Sequence, residues 1–385
     1  MVIAIFDKEV FFMKSKVYFS DMRASGSANL LEKLDKLMRR AGIEKIDMEH
    51  KFVAIKLHFG EYGNLAFLRP NWAKVVADLV KEKGGFPFLT DCNTLYVGYR
   101  NQALEHLDCA NMNGFNPITT GCQIIIGDGL RGDDETLVPV KNGEFVKEAK
   151  IGHTIMDADI VISLSHFKGH ENAGFGGALK NLGMGCASRA GKMEQHSSGK
   201  PEVLESECVC CKRCTKNCAV NAISYDNKKA FIDHNICVGC GRCIAACPFD
   251  AISFSQWDAG AVLGRKMVEY AQAVCQERPT FHVSLAIDIS PNCDCHSEND
   301  APILPNLGMF ASFDPVALDQ ACVDMALAQT PMPNSQLSDN LAKKGWKCHH
   351  DHFLDSNPNV EYKTALEHAQ KIGLGSREYE LVVVK

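Results

Sequence analysis

The sequence predicts an α/β protein, with a mainly parallel sheet and helices on both faces, interrupted by a small α+β domain rich in cysteine. Apolar strand candidates alternate with amphipathic helices between residues 52 and 90, an order that is typical of parallel sheets. The pattern breaks at residues 205–257, where cysteines crowd together and helices become very short. We therefore expect residues 13–204 and 258–385 to form one discontinuous domain around an inserted domain at 205–257.

The individual elements follow from hydrophobic periodicity and from capping residues. Apolar residues at helical spacing predict helices over residues 29–41 and 72–80. The dipeptide Asp314-Pro315 predicts a further helix start, because aspartate caps helices and proline is favoured in the first turn. Short apolar runs predict strands at 52–58, 86–90, 160–164, 281–289 and 381–384.

The composition excludes several classes of function. Hydrophobic residues make up 46% of the 385 residues, which is enough to bury a sizeable core. The formal net charge is −6 without a basic run, so nucleic acid is not an expected partner. No apolar stretch approaches the ~20 residues that cross a bilayer, and Asp7 interrupts the apolar opening of the chain. We expect a cytoplasmic protein without a membrane partner, and we regard Met13 as an alternative start.

Cysteine is unusually frequent, with 18 residues in the chain. In a protein without an export signal, this frequency indicates thiolates held by metal in a reducing compartment. Two segments have the spacing CxxCxxCxxxC and are offset by 29 residues, since 237 − 208 = 29 and 247 − 218 = 29. The same offset relates Ala-Ile-Ser at 222–224 to Ala-Ile-Ser at 251–253, which indicates an internal duplication.

The spacing has a geometric interpretation. A tight loop can wrap three thiolates around one face of an iron–sulfur cube, while the fourth cysteine reaches the other cube. Gly239 and Gly241 are expected to let backbone amides approach the inorganic sulfides. We therefore predict that cluster one is bound by Cys208, Cys211, Cys214 and Cys247, and cluster two by Cys218, Cys237, Cys240 and Cys243.

This segment resembles the bacterial two-cluster ferredoxins over about 50 residues. The resemblance implies two [4Fe–4S] clusters in a ferredoxin-like domain, although Ala219 stands where that family usually has proline. Zinc is the alternative metal, because CxxC pairs also bind zinc, but two complete motifs at a fixed repeat disfavour it. Cys210 is an additional cysteine, either a bystander thiol or an alternative ligand.

Polar side chains follow two of the predicted strands of the α/β domain. The carboxyl ends of neighbouring parallel strands face a common crevice, so we predict that these side chains converge on a site for catalysis. Ordinary loop polarity is the alternative explanation for the histidines. The candidate catalytic residues are Lys56, His58, His166, Lys168, His170 and Lys180.

Two further groups of residues suggest binding functions. The glycine-rich run 174–183 is expected to turn free backbone amides toward an anion, which gives Gly176, Gly177 and Asn181 a predicted role in cofactor binding. Cys293, Cys295 and His296 follow another predicted strand and form a compact set of soft ligands. This set is consistent with an additional metal site, with a reactive thiol pair or with no function.

Most of the chain resembles the domain-of-unknown-function family 362, in particular those members in which the domain contains a ferredoxin insert. The resemblance implies the architecture and the cluster content, and supplies no substrate. It also implies that Lys168, His170, Lys180, Asn181, Asp314 and Asp319 act together. The segments that carry it are VAIKLHFGE (53–61), DADIVISLSHFKGHENAGFGGALKNLGMG (157–185), SPNCDC (290–295) and ASFDPVALDQA (311–321).

Three functions are consistent with these patterns. In the first, a redox enzyme passes low-potential electrons through two clusters to a small anionic substrate, or to a second cofactor, in the crevice. In the second, the protein is an electron carrier or a cluster-binding module without its own catalysis, which docks an electron donor or acceptor protein. In the third, it delivers metal or cluster to another protein. The sequence does not decide whether the protein is an enzyme.

Overall fold

The computed structural model describes residues 14–197, 200–218, 220–254 and 260–385. The proposed start at Met13 and the departure at Ala219 lie outside the described residues. The strands are β1 (Ser15–Asp21), β2 (Phe52–Lys56), β3 (Phe86–Asp91), β4 (Gln123–Ile126), β5 (Glu135–Pro139), β6 (Glu148–Gly152), β7 (Ile160–His166), β8 (Lys168–His170), β9 (Gly174–Gly176), β10 (Pro201–Val203), β11 (Ile223–Asp226), β12 (Lys229–Ile232), β13 (Ile252–Phe254), β14 (Thr280–Ala286), β15 (Gly308–Ser312) and β16 (Tyr379–Val383).

Helices connect most of the strands of the central sheet. They are α1 (Leu30–Ala41), α2 (Pro70–Glu82), α3 (Ala103–Met112), α4 (Pro117–Thr120), α5 (His153–Asp157), α6 (Ala178–Cys186), α7 (Arg189–His196), α8 (Arg213–Asn217), α9 (Arg242–Ala245), α10 (Gly260–Cys275), α11 (Pro315–Leu327), α12 (Gln336–Ala342), α13 (His352–Ser356) and α14 (Lys363–Lys371). No helix in this part of the chain combines the length and the apolar character that a bilayer crossing requires.

The central sheet has eight strands in the order β16-β1-β15-β14-β7-β2-β3-β4. All its pairs are parallel except the two that β15 makes with β1 and β14. Successive residues of a strand point to opposite faces, and accordingly Ile55 and Ala54 of β2 belong to different apolar clusters. Helices α1 and α2 pack in one cluster and α6, α10 and α11 in the other, so the predicted α/β fold is confirmed.

Strand order brings four carboxyl ends to one edge of the sheet. Strands β14, β7, β2 and β3 are adjacent and parallel, so their last residues and the loops that follow lie side by side. Open α/β sheets bind ligands outside the carboxyl ends of their strands. The residues predicted to form a site follow β2 and β7, and this topology places them together.

Asp314 connects the start of α11 with Ser15 of β1 and with Ser376, which precedes β16. Its Oδ1 accepts hydrogen bonds from the amides of Val316 and Ala317 at 2.9 and 3.0 Å, as the predicted cap of α11. Its Oδ2 accepts from the hydroxyl of Ser15 at 2.6 Å and from the amide of Ser376 at 2.8 Å. One carboxylate therefore holds the start of α11 against the segments that lead into β1 and β16.

The residues from 201 to 254 fold as two similar halves. Each half contributes one strand to each pair: β10 of the first half pairs with β13 of the second, and β12 of the second half pairs with β11 of the first. The two pairs have equivalent registers, because Val203 opposite Ile252 corresponds, at the 29-residue offset between the halves, to Ile232 opposite Ile223. Helix α8 begins at Arg213 and α9 at Arg242, at the same offset. Three positions with left-handed backbone also repeat at this offset: Cys210 and Gly239, Lys212 and Gly241, Asn221 and Asp250. The duplication inferred from sequence is therefore a duplication of backbone conformation.

Replacing Asp314 by alanine is expected to lower the free energy of unfolding by about 2 kcal/mol, because the change removes a helix cap and two further hydrogen bonds. Anaerobic urea unfolding measures the difference. The control is Asp78→Ala, where the side chain is 52% exposed and forms an ion pair within its own helix. We expect that variant to stay within about 0.5 kcal/mol of the unchanged protein. Equal losses in the two variants would contradict the role assigned to Asp314.

Candidate functional site

A cavity of about 360 Å³ lies at the carboxyl edge of the sheet. The α/β domain contributes its polar wall, and residues 244–253 of the duplicated segment contribute part of its apolar wall. The structure brings together every residue predicted for the α/β domain site. Those in the cavity wall are Lys56, His58, His166, Lys168, His170, Gly176, Gly177, Lys180, Asn181, Cys293, Cys295 and His296.

Lys56 belongs to a buried junction beneath the cavity. Its Nζ lies 2.9 Å from Oδ1 of Asp91 and donates to Oδ1 of Asn181 at 2.8 Å. The amide nitrogen of Asn181 donates to the carbonyl oxygens of Lys56 and Leu164, at 2.9 and 3.3 Å. Burial alone would raise the pKa of Asp91, but Lys56 and other nearby cations hold it well below its usual range. Asn181 thus joins β2, β7 and α6, and Lys56 neutralises the end of β3.

His166 holds the loop that contains Cys293 and Cys295. Its Nδ1 lies 2.9 Å from Oδ2 of Asp294, and its Nε2 lies 2.6 Å from the carbonyl oxygen of Ile287. These two contacts occupy both ring nitrogens, so the geometry favours a positioning role for His166 over the predicted catalytic one. Asp294 is the residue between the two cysteines, and His166 and Lys168 keep its pKa low against the effect of burial.

His58 and His170 are held by backbone amides. Nδ1 of His58 accepts a hydrogen bond from the amide of Gly60 at 3.0 Å, and Nδ1 of His170 accepts from Asn172 and Ala173 at 3.0 and 3.2 Å. An imidazole that accepts at Nδ1 carries its proton on Nε2 and is neutral. Burial, together with the charge of Arg100, accordingly places the pKa of His58 well below its usual range. The His58 ring is therefore a neutral donor at Nε2.

The glycine-rich run differs from the sequence expectation. Residues 174–176 form a strand and residues 178–186 a helix, and the amides of Ala178 and Leu179 donate to Asp319 at 2.8 and 2.9 Å. These amides are therefore not free for an anion, because a buried carboxylate already occupies them. Gly176 has a different function: a Cβ there would lie 3.0 Å from Nζ of Lys168 and 3.6 Å from Cδ of Lys180. Its lack of a side chain leaves room for both lysines.

Cys293 and Cys295 belong to two groups of residues that could bind a metal ion. The ligand atoms of Cys293, Cys295 and His170 lie within 4.8 Å of one another, and so do those of Cys295, Glu171 and His296. A hydrogen bond from Cys295, with Lys168 and Lys180 nearby, lowers the pKa of Cys293 well below its usual range. Soft sulfur and imidazole donors suit a transition metal.

Hydrogen bonds to the backbone hold this loop in place. The amide of Cys293 donates to Oε2 of Glu171 at 3.0 Å. The carbonyl oxygen of Cys295 accepts from the hydroxyl of Tyr96 at 3.2 Å and from Nη2 of Arg100 at 3.3 Å. Residues that are fixed in this way present their sulfurs with little reorganisation, which favours ligand binding.

The duplicated segment contains a second, smaller cavity of about 20 Å³. Its wall includes three cysteines of the first motif and the last cysteine of the second motif, which is the set predicted for cluster one. Cys210 also lines this cavity, at the left-handed position that Gly239 occupies in the other half. The cysteines in the wall are Cys208, Cys210, Cys211, Cys214 and Cys247.

The cysteines of the other predicted set also lie near one another. Burial raises the pKa of Cys243, and the neighbouring thiolates, Cys240 and Cys237 foremost and then Cys214 and Cys218, raise it further. Among the described residues, no three cysteines of the duplicated segment have sulfurs within 4.8 Å of one another. A tetrahedral zinc ion with bonds of ~2.3 Å requires sulfurs about 4 Å apart, and no such trio of cysteines is present in the described part of this segment.

Several residues of the site were not predicted from the sequence. Asp91, Arg100 and Tyr96 come from β3 and the loop after it, where no motif marks them. Asp294 lies between Cys293 and Cys295, which were predicted to bind a metal, and this position in the sequence could have indicated it. Leu95 and Met193 pack against the cysteines of the duplicated segment, a contact that sequence spacing does not show.

The comparisons with known proteins agree with the sequence resemblance. The family model described as "Domain of unknown function (DUF362)" matches residues 53–324, from β2 to α11. The chain belongs to the DUF362 family. The match covers more than two thirds of the sequence and includes the cavity and the duplicated segment.

Solved structures resemble this DUF362 chain weakly. A Thermotoga maritima protein from a structural genomics consortium has 12% identity and a TM-score of 0.39, over 76% of this chain and 57% of that one. This chain therefore spans little more than half the length of the Thermotoga protein. The lactate racemase apoprotein from Thermoanaerobacterium thermosaccharolyticum has 11% identity and a TM-score of 0.39, over 98% and 85%. A comparison with curated proteins finds no match.

Replacing Lys56 by methionine is expected to lower the free energy of unfolding by about 3 kcal/mol, because Asp91 loses the main compensation for its buried charge. Anaerobic urea unfolding measures the loss. The double variant Lys56→Met, Asp91→Asn removes both charges and should recover at least half of it. If the double variant is as unstable as the sum of the two single variants, the two side chains do not interact as described.

Proposed function

We propose that this DUF362 protein holds two [4Fe–4S] clusters in its duplicated segment and relays low-potential electrons to a substrate or second cofactor in the large cavity. The observation that carries the proposal is the cysteine-lined cavity. Its wall combines Cys208, Cys211 and Cys214 with Cys247, across the two halves of the duplication. An interleaved pair of clusters requires this exchange of the fourth ligand, and zinc sites in each half would not produce it.

The residues present fit such clusters in chemistry as well as in position. Thiolates are the preferred donors for iron–sulfur clusters, and the two motifs supply eight of them. Apolar side chains pack around the cysteines, among them Ile223, Ile244 and Ile252. Clusters bound there would supply single electrons at low potential, and the apolar surroundings would limit their contact with water.

The two cavities are neighbours, which favours electron exchange between them. Ile252 lines both of them, so they share part of their wall. On the side of the second cysteine set, a Cβ at Gly241 would lie 2.5 Å from Cδ1 of Leu95, and Leu95 also lines the large cavity. Electron transfer rates fall steeply with distance, so this adjacency favours a relay into the large cavity over a carrier that only exchanges electrons with other proteins.

The loop of the first motif has the properties of a surface where electrons enter. Lys212, Arg213 and Lys216 are exposed beside the cysteines, and Val209 is 58% exposed. A basic surface with an apolar centre suits an acidic electron donor protein. The donor would bind at this loop, while Gly241, at the start of helix α9, lies against Leu95 of the α/β domain.

Iron content tests the proposal. Anaerobically purified protein should contain about eight iron and eight sulfide per chain. Cys247→Ser should reduce the iron to about four per chain, because it removes a ligand of cluster one. The iron that remains, and its absorbance, would belong to the cluster bound by the set with Cys243. Cys210→Ser is the matched control and should keep about eight. Zinc in place of iron, or loss of the signal of the Cys243 set in Cys247→Ser, would contradict the assignment.

Reversing the charge of the loop tests the electron donor site. The double variant Lys212→Glu, Arg213→Glu should slow reduction by an acidic ferredoxin or flavodoxin at least tenfold at low salt, because steering is lost. Stopped-flow absorbance measures the rate. Reduction by dithionite should not change, and Lys36→Glu, on the exposed face of α1, serves as the control. A rate that is independent of both salt and the variant would exclude this loop.

A further inference from the structure

One donor in the large cavity lacks a partner. Nε2 of His58 is buried and has no hydrogen-bond partner in the described chain, while Nδ1 is fixed by the amide of Gly60. The ring therefore offers an N–H that requires an acceptor, and a buried donor without one costs about 1–3 kcal/mol. A ligand oxygen in the cavity would satisfy it.

Two lysines line the same cavity as His58. Lys168 and Lys180 both approach Gly176, at 3.0 and 3.6 Å from the position of a Cβ there. Nζ of Lys168 lies 3.6 Å from Oδ1 of Asp294, which is longer than a hydrogen bond, and Nζ of Lys180 lies 3.5 Å from Sγ of Cys293. An ammonium group has three donors, so both retain capacity for a ligand.

The cationic side chains in the cavity wall outnumber the carboxylates. The cations are Lys56, Lys168, Lys180, Lys192 and Arg100, against Asp91, Glu171 and Asp250. Lys56 is paired with Asp91 and Arg100 with Glu61, each at 2.9 Å, and Glu171 is occupied by the Cys293 amide and by His296 at 3.2 Å. The remaining cations in the wall are Lys168, Lys180 and Lys192, and they favour an anion that accepts hydrogen bonds.

The apolar part of the cavity wall comes from two groups of side chains. Leu95, Ile244 and Ile252 belong to the core of the duplicated segment, and Met184, Leu263 and Met267 form a small cluster of their own. An inorganic anion would leave these side chains facing water, whereas a ligand with an apolar body would cover them, at ~25 cal/mol for each Å² buried.

The volume limits the size of the ligand. An apolar cavity of about 150 Å³ accommodates benzene, so about 360 Å³ has room for roughly 10 to 15 non-hydrogen atoms. A single ring or a branched chain with one polar head group fits this range.

We propose that the large cavity binds a small organic monocarboxylate with an aromatic or branched apolar body. Its carboxylate accepts hydrogen bonds from Nε2 of His58, Lys168 and Lys180, and its body lies against Met184 and Ile252. As the substrate class of the cavity, this ligand rests on the proposed function. Its binding requires only the polar and apolar walls of the cavity.

Calorimetric titration of the anaerobic, cluster-containing protein tests the proposal with phenylacetate, acetate and phenylacetamide. Phenylacetate should bind at least tenfold more tightly than acetate, which lacks the apolar body, and than phenylacetamide, which lacks the charge. Equal binding of phenylacetate and phenylacetamide would overturn the anion site. Binding of sulfate or acetate as tight as that of phenylacetate would overturn the apolar body.

Variants test the polar and the apolar part of the cavity wall separately. Lys168→Met should weaken phenylacetate at least tenfold, Lys168→Arg should retain most of the affinity, and Lys36→Met, on the surface, should have no effect. Met184→Gln, which keeps the length of the side chain, should weaken phenylacetate several-fold and leave acetate unchanged. An affinity that is insensitive to Lys168→Met would refute the placement of the carboxylate, provided that the variant keeps its cluster absorbance.

The same samples distinguish this proposal from the electron relay. If none of the three compounds binds to protein that contains about eight iron, the ligand class is wrong and the relay stands. If phenylacetate binds as described to protein that lacks iron after anaerobic purification, the ligand class stands and the relay is wrong.

Discussion

The architecture of the site depends on the compensation of buried charge where four parallel strands end. Lys56 and Asp91 meet there, almost inaccessible to water, and Asn181 joins them; each side chain satisfies a group that would be costly if left alone. Asn181 reaches the backbone of two strands from the first turns of α6. The position of α6, and with it that of Lys180 and the neighbouring glycines, therefore follows from a polar junction as much as from apolar packing.

A second constraint acts on the loop of Cys293 and Cys295. His166 and the amide of Glu61 hold Asp294, while Tyr96 and Arg100 hold the carbonyl of Cys295. These partners come from three separate connections of the sheet. The sulfurs are thus positioned by the fold as a whole, which explains why residues far apart in sequence converge on one cavity.

The sequence predicted most of the α/β fold because hydrophobic periodicity and the cap at Asp314 are local signals. The same holds for the 29-residue repeat, which reappears in strand register and in left-handed positions such as Lys212 and Gly241. Long-range pairing has no comparable signal. Asp319 takes the amides that the glycine-rich run was expected to offer an anion, and Arg100 enters the site from a loop without a motif.

Ile252 lines both cavities, and its branched shape has a consequence for the wall that they share. A β-branched side chain in a strand has restricted rotation about its first torsion angle, so it does not swing aside as a leucine or methionine can. Pairing of β13 with β10, where Ile252 lies opposite Val203, further limits its movement. The wall that the two cavities share at this residue is therefore stiff.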